Sequence, residues 1–197
     1  MGHSKGNVVA TAITLLDEYG LPGLSMRRLA ATLGVQQSAL YWHFESKQML
    51  LAAMAEEILA RGPRPSSSRA WDTEVTRRAV ALRDALLAYR DGAELVSTVH
   101  AFGLGAEEPH RRLATSIESA GAAPPEARAA ATVILHFVFG FTFSEQQHLQ
   151  ASSAGAIEGA PPSAAASRRE AEPEPFRAGV ALILDGIRAR VPQQQRT

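Results

Sequence analysis

The amino-acid sequence predicts an all-α protein, in which a small N-terminal helical domain precedes a larger helical one. Apolar residues recur at helical spacing along most of the chain, and glycine and proline interrupt the pattern at intervals. Alanine, the strongest helix former, is abundant, and no strand-like alternation competes with the helical pattern. The 197 residues are 46% hydrophobic and 20% charged, which is typical of a globular protein with a proper core.

The boundaries of the first helices follow from residues that begin or end helices. Ser25 can cap a short second helix, Gly34 can end it in a left-handed conformation, and Ser46 can cap the fourth. In chain order, the predicted helices cover residues 5–19, the stretch between 25 and 34, and residues 36–44, 47–60, 71–89, 94–101, 109–120, 125–150 and 175–191.

Two polar stretches divide the chain. Residues 62–69, GPRPSSSR, have the proline and serine content of a loop and predict a functional boundary. Residues 151–175 are small, polar and proline-bearing, so we expect a flexible loop that cannot bury enough apolar area to offset its ordering entropy. The predicted parts are a first domain over 1–46, a connecting helix over 47–62 and a second domain over 63–197.

Two helices of the second domain are more apolar than ordinary amphipathic helices. Residues 131–143, ATVILHFVFGFTF, are apolar nearly all round, and the last helix carries an apolar stripe. The stripe consists of Phe176, Val180, Ile183, Leu184, Ile187 and Val191. Both helices can be core of one chain, but a four-helix bundle built from two copies satisfies the pattern better and predicts a homodimer.

The second and third helices, with the tight turn at Gly34, fit a helix-turn-helix unit, whose second helix enters the major groove of DNA. At about 100° per residue, Leu40 and Phe44 share the face that packs on the first two helices. Ser38, Ala39 and Trp42 then lie outermost, and Tyr41 and His43 lie on the flanks.

Side-chain chemistry assigns this outer surface to double-stranded DNA. Glutamine can pair with adenine through two hydrogen bonds, small residues can approach thymine methyls, and aromatic rings can lie against sugar and phosphate. The predicted DNA-binding residues are Arg27, Gln36, Gln37, Ser38, Ala39, Tyr41, Trp42, His43 and Lys47, with Arg27 and Lys47 on flanking phosphates. Each has a plainer alternative as a solvated surface residue, and Trp42 could cover a crevice.

The stretch LSMRRLAATLGVQQSALYWHFESKQMLLAAMAEEIL, residues 24–59, closely resembles the DNA-binding domain of the tetracycline-repressor family. Tyr41-Trp42-His43 with Lys47, the segment 89–93 (YRDGA) and His136-Phe137 resemble the tetracycline-repressor branch in particular, and the resemblance covers most of residues 7–191. It implies an all-helical homodimer, with an N-terminal helix-turn-helix three-helix DNA-binding domain and a larger helical domain for ligand binding and dimerisation. Every DNA-binding residue named above except Gln36 falls where that family contacts DNA.

The effector site departs from that branch, in which the resemblance implies a histidine and a glutamate holding a drug-bound magnesium ion. The histidine position is Val96 here, and the glutamate position is Ser144, with Glu145 one residue on. Positions implied to grip the drug are Pro63 and Arg78. Because valine cannot replace imidazole as a ligand, the sequence predicts no metal site and an effector other than magnesium tetracycline.

The effector-binding residues are predicted to combine an apolar lining with a few polar groups, as small-molecule sites do. They are Arg78, Leu82, Val96, Val99, His100, Phe102, His136, Phe139, Phe143 and Glu145. His100 and His136 could equally be core histidines, and the phenylalanines could be core or dimer interface. We expect an aromatic or antibiotic-like effector, which would displace the fourth helix and release a palindromic operator; a magnesium-tetracycline sensor and a ligand-independent DNA-binding protein are the alternatives.

Other functional classes find little support in the sequence. It contains no metalloprotease motif, phosphate-binding glycine loop or hydrolase nucleophile elbow, so we expect neither an enzyme nor a cofactor. There is no cysteine, no secretion signal is recognisable, and no segment offers the roughly 18 apolar residues of a membrane span. We therefore expect a cytoplasmic protein without a membrane partner. Zero formal charge gives no global sign of DNA binding, so that prediction rests on local placement.

Overall fold

The computed structural model describes residues 3–60, 70–153 and 174–191, and every regular element in these ranges is a helix. The all-α prediction is confirmed. The helices are α1 (Lys5–Gly23), α2 (Met26–Leu33), α3 (Gln37–Tyr41), α4 (Lys47–Ala60), α5 (Trp71–Leu87), α6 (Gly92–Ala101), α7 (Glu107–Glu118), α8 (Pro124–Ser153) and α9 (Glu174–Arg188).

The predicted caps form as expected. Ser25 Oγ accepts a hydrogen bond from the Arg28 amide at 3.1 Å, and Ser46 Oγ accepts one from the Met49 amide at 3.2 Å. Gly34 ends α2 at φ +67°, in the left-handed region that favours glycine. At Gly20 the backbone also turns left-handed, with φ +71°, so the predicted end of the first helix is observed as an interruption within α1.

We expect Gly34→Ala to lower the free energy of unfolding by about 1–2 kcal/mol, because a Cβ disfavours the left-handed conformation even where space is open. Gly6→Ala is the matched control, since Gly6 lies in α1 with open space around it and no positive φ. It should raise the free energy of unfolding by up to about 1 kcal/mol. Urea unfolding at one protomer concentration measures both, and equal effects would contradict the prediction.

The third helix is shorter than predicted. It ends at Tyr41, because the amide of His43 bonds to the carbonyl of Leu40 at 3.0 Å and tightens the last turn. Phe44 remains in register, and its amide also bonds to Leu40. The face assignment is therefore preserved although regular helix stops three residues earlier than expected.

The described residues form two compact units. One contains the residues up to 60 together with Ala85–Ala106, and the other contains residues 70–84 and those from Glu107 onward. The division differs from the predicted boundaries in assigning 85–106 to the first unit, and the functional domain bounds stay a prediction. Residues 151–153 continue α8 and residues 174–175 begin α9, while the rest of the predicted loop lies outside the described residues.

In the first unit, α6 is fixed to α1 by the turn that precedes it. Asp91 is buried with φ +54°, and its Oδ2 accepts a hydrogen bond from the Leu21 amide at 2.7 Å. A Cβ on Gly20 would lie 2.6 Å from the same Oδ2, so only glycine permits this approach. The Arg90 amide donates to Asp17 Oδ1 at 3.0 Å. Two hydrogen bonds therefore join the end of α1 to the turn that precedes α6.

In the second unit, α8 packs on α7 and α9. Phe176 is fully buried and lies 5.6 Å from the Phe137 ring centroid and 5.3 Å from that of Phe141. Four residues of the predicted stripe, Phe176, Val180, Leu184 and Ile187, are buried within the single chain. Assigning that stripe to a dimer interface was therefore wrong for these residues, because they form core.

Other faces of the same two helices are exposed. Val133 and Phe143 of α8 are exposed, as is Leu182 of α9. Space is open around the Cβ position of Gly140 and of Gly186. These surfaces, rather than the buried stripe, are available to a second copy.

One expectation about membranes requires correction. Among the described residues, α8 is long and apolar enough to cross a membrane by length and composition alone. Core helices of other proteins pass the same test, so this is weak evidence. The polar residues Thr142 and Gln146 of α8 are buried inside the second unit. This burial is what we expect of a core helix.

Candidate DNA-binding surface and effector residues

The third helix presents the predicted surface and holds it on a buried base. Leu40 and Phe44 are both buried, as predicted, and Lys5 Nζ lies 5.2 Å from the centroid of the Phe44 ring. On the other side the Trp42 side chain is 90% exposed and Tyr41 is 45% exposed. An indole this exposed adds little to the packing of the unit, whereas a DNA partner would cover its apolar ring.

The remaining predicted DNA-binding residues surround the same helix. Arg27, Gln36, Gln37 and Ser38 are exposed, whereas Ala39, His43 and Lys47 are half-buried. Gln37 Nε2 donates to Tyr41 Oη at 3.4 Å, a long contact that a base could displace. All nine lie in the first unit, on α2, on α3 with its flanks, and at the start of α4.

One backbone amide near the start of α4 is already hydrogen-bonded. Because Ser46 Oγ already accepts the Met49 amide, that amide of α4 is not available to a phosphate. Lys47 begins α4 and keeps a partly exposed side chain. A phosphate contact by the Lys47 ammonium group stays a prediction.

The predicted effector residues divide between the two units. In the first unit, Val96 and Val99 are buried, His100 is half-buried and Phe102 is exposed. In the second unit, Leu82 and Phe139 are buried, Arg78 and Glu145 are half-buried, and His136 and Phe143 are exposed. Their role in binding an effector stays a prediction.

Glu145 is engaged by a residue that the sequence analysis missed. Arg83 Nε and Nη2 donate to its two carboxylate oxygens at 2.8 and 2.5 Å, and Arg83 is only 1% exposed. Arg83 Nη1 also contacts Asp84 Oδ1 at 3.2 Å. A signal was present, because Arg83 falls at helical spacing between the buried residues Ala79 and Leu86 of α5.

The residues do not fit a magnesium-drug site of the implied kind. Val96 is buried and offers no ligand, Ser144 is exposed, and both Glu145 oxygens are held by Arg83. Within residues 3–60, 70–153 and 174–191, no group of three or more histidine, aspartate or glutamate side chains could hold a metal ion.

A cavity of about 1120 Å³ lies in the first unit between α1 and α4, with Tyr89 at its edge. The sequence analysis did not predict it, and none of the predicted effector residues lines it. Its lining includes the carboxylates Asp17, Glu18, Glu56 and Glu57. These carboxylates repel the phosphate backbone of DNA, because both are negatively charged, so this cavity is not part of the DNA-binding surface.

A helix-turn-helix with an exposed recognition helix, carried by an all-helical chain, defines a DNA-binding transcriptional regulator. Two family descriptions match: "Bacterial regulatory proteins, tetR family" over residues 8–54 and "Tetracyclin repressor-like, C-terminal domain" over residues 64–191. The chain belongs to the TetR family of bacterial regulatory proteins.

Relatives and solved structures agree with this membership. The tetracycline repressor protein class A from transposon 1721 of Escherichia coli is 38% identical over 194 residues, 93% of this chain and 89% of the relative. BioQ bound to its double-stranded DNA operator is similar at a TM-score of 0.77 and 36% identity, covering 95% of this chain and 99% of that one. A tetracycline repressor variant from Acinetobacter baumannii AYE, in complex with minocycline, gives 0.76 and 30%, covering 95% and 98%.

The predicted class of protein is thereby confirmed. The chain is a helix-turn-helix DNA-binding transcriptional repressor of the TetR family, with a C-terminal domain of the effector-binding type. The relatives are transcriptional regulators rather than enzymes.

Proposed function

We propose that this protein is a cytoplasmic homodimer that binds a palindromic operator and leaves it when a small molecule other than magnesium tetracycline binds. The observation that carries the DNA-binding part is the recognition helix, with Leu40 and Phe44 buried beneath it and Trp42 exposed above. Two such helices in a dimer would enter successive major grooves about 34–36 Å apart. The palindrome follows from the two-fold symmetry of the dimer.

Residues of the surface divide into base-reading and phosphate-binding groups. Gln36 and Gln37 stand where α3 begins and are exposed, so they can reach base edges. Lys47 and Arg27 flank the helix and would neutralise phosphates, which fixes register without reading sequence. Exposed Tyr41 and Trp42 would lie on the sugar-phosphate backbone, where amphipathic rings gain contact area.

We expect Gln37→Ala and Lys47→Ala to weaken operator binding in different ways. Gln37→Ala should reduce discrimination between bases at one operator position by about 1–3 kcal/mol, because a paired amide is lost. Lys47→Ala should weaken all sequences alike and reduce the slope of log K against log salt by about 1, because one phosphate contact is lost. Fluorescence anisotropy on operator and scrambled duplexes at several salt concentrations measures both.

Gln48→Ala is the matched control, since Gln48 is exposed next to Lys47 and has no proposed DNA contact. All variants are first checked for an unchanged dimer by sedimentation. If Gln37→Ala and Lys47→Ala bind operator and scrambled DNA like the parent, the assigned DNA-binding surface is wrong.

The effector part rests on the C-terminal domain and on its departures from a magnesium-drug site. Val96 supplies no metal ligand, and both carboxylate oxygens of Glu145 accept hydrogen bonds from Arg83. A ligand can release DNA only if it binds the DNA-incompetent dimer better than the competent one. We propose that the ligand changes the balance between the two dimer states by displacing α4. This helix packs on both α1 and α6 in the first unit.

A magnesium-tetracycline sensor is the second candidate, favoured by the 38% identity to a tetracycline repressor. Tetracycline titrated onto the operator complex with magnesium and with EDTA decides between the two. If tetracycline releases the operator in the presence of magnesium but not in EDTA, the second candidate is established and the first is overturned. If the repressor is ligand-independent, none of the compounds tested should raise its melting temperature, because only a bound ligand stabilises by mass action.

A further inference from the structure

Two sets of ion pairs lie in the second unit, one on α5 and one on α7, and each joins one glutamate to two arginines. Glu74 pairs with Arg77 at 2.6 Å and with Arg78 at 2.7 Å. Glu108 pairs with Arg112 at 2.5 Å and also with Arg111. Surface pairs of this kind are common, and most of these side chains reach solvent, which screens their charge.

Arg78 differs from the other three arginines in hydrogen bonding. Its side chain is 11% exposed, close to the 18% of Arg77 and well below the 39% of Arg112 and the 72% of Arg111. The Arg78 Nε atom is buried and has no hydrogen-bond partner among the described residues. A buried charged donor without a partner is costly, and proteins retain few of them.

The electrostatic surroundings of Arg78 leave its charge incompletely balanced. Burial lowers the pKa of Arg78, Glu74 opposes that effect, and the positive charges of Arg77 and Arg112 lower the pKa further. Glu74 is shared, because Arg77 holds both of its carboxylate oxygens at 2.6 and 2.9 Å. A single carboxylate therefore serves two arginines.

We propose that Arg78 binds the anionic group of the effector, and that the effector is an organic acid whose carboxylate accepts a hydrogen bond from Arg78 Nε. The inference rests on the proposed function and narrows its effector to one chemical class. A carboxylate is the natural partner of a guanidinium N–H, and a charge-assisted bond is stronger where water is excluded. Leu82, one turn further along α5, is buried and apolar, so an apolar body attached to the acid suits this face.

A purely structural role for Arg78 accounts for less. Arg77 already holds both oxygens of Glu74, so a second arginine is not needed to neutralise that carboxylate. It would also leave the Nε donor unused in a buried place. An arriving carboxylate satisfies the donor and reduces the local excess of positive charge.

The experiment uses benzoate, naphthoate and anthracene carboxylate, each beside its neutral carboxamide, on the full-length protein. Thermal stabilisation and isothermal titration measure binding, and operator retention is measured in the same samples with and without each compound. We expect at least one acid to stabilise the parent and to release operator while its carboxamide does neither. Arg78→Gln should weaken that acid by about tenfold or more, because a charge-assisted bond is lost. Arg77→Gln, which removes the same charge one residue away, should bind it within about threefold of the parent.

Each other outcome overturns the proposal. These outcomes are equal binding of acid and carboxamide, equal loss in both variants, stabilisation by inorganic phosphate alone, and no stabilisation by any acid of the series. The melting temperature of each variant without ligand shows whether Arg78→Gln remains folded. If Arg78→Gln does not fold, Arg78→Lys replaces it in the binding measurements, because lysine keeps the charge but lacks the Nε donor. Operator binding without ligand is independent of these results, so its absence would count against the proposed function instead.

Discussion

Replacing Glu145 by alanine is expected to lower the free energy of unfolding by about 3–5 kcal/mol, because it leaves the Arg83 guanidinium buried with its main partner removed. Arg83 is 1% exposed, and two of its nitrogens donate to Glu145. Asp84 contacts Arg83 through Nη1 at 3.2 Å but is itself largely exposed, so it compensates little. Urea unfolding at a fixed protomer concentration measures the loss, since the stability of a dimer depends on concentration.

The double variant Arg83→Met with Glu145→Leu separates the charge effect from loss of packing. With both charges gone and the volume largely kept, much of the stability should return, as it does when a buried pair is replaced by apolar residues. Arg111→Ala is the matched control, because its pair with Glu108 is exposed and should contribute no more than about 1 kcal/mol. A cost below 1 kcal/mol for Glu145→Ala would contradict the buried-pair interpretation.

Leu182→Asp is expected to convert the dimer largely to monomer and to weaken operator binding by about a hundredfold or more. Leu182 is 73% exposed on α9 in the single chain, and neighbouring Gly186 leaves room for close approach of a second helix. In a two-fold symmetric interface one substitution introduces two like charges, both of which lose water on association. Separate monomers also bind the two half-sites independently, so the affinity gained by linking two recognition helices in one dimer is lost.

Sedimentation velocity at micromolar concentration measures the dimer, and anisotropy on a full operator and on a half-site measures the loss of linkage. Half-site binding should be nearly unchanged, because α3 lies in the other unit. Thr115→Asp is the control, since Thr115 is an exposed residue of α7 and receives the same charge. A Leu182→Asp protein that remains a dimer would exclude this face of α9 from the interface.

Local chemistry made the helical order predictable from the sequence. Ser25 and Ser46 cap the helices that follow them, and Gly34 adopts the left-handed conformation that the helix end requires. These features depend on residues within four positions of each other, so no knowledge of tertiary contacts is needed. The burial of Leu40 and Phe44 follows in the same way from helical periodicity.

Features that depend on distant residues could not be predicted. Arg83 and Glu145 are 62 residues apart, and nothing near either of them in the sequence indicates the pairing. The stripe on α9 has the same periodicity whether it packs within the chain or against a second copy, so Val180 and Leu184 were placed at an interface although they are core. Periodicity identifies an apolar face but not the surface that covers it.

The exposure of Trp42 gives the protein an intrinsic optical probe. The chain contains two tryptophans, and the second, Trp71, is half-buried with the Arg188 guanidinium 5.8 Å from its ring centroid. Indole emission moves to longer wavelength in water and is quenched or shifted when bases or sugars replace that water. In a Trp71→Phe background, emission would therefore follow occupation of the recognition helix without any added dye, and stopped-flow mixing could time the arrival and departure of DNA.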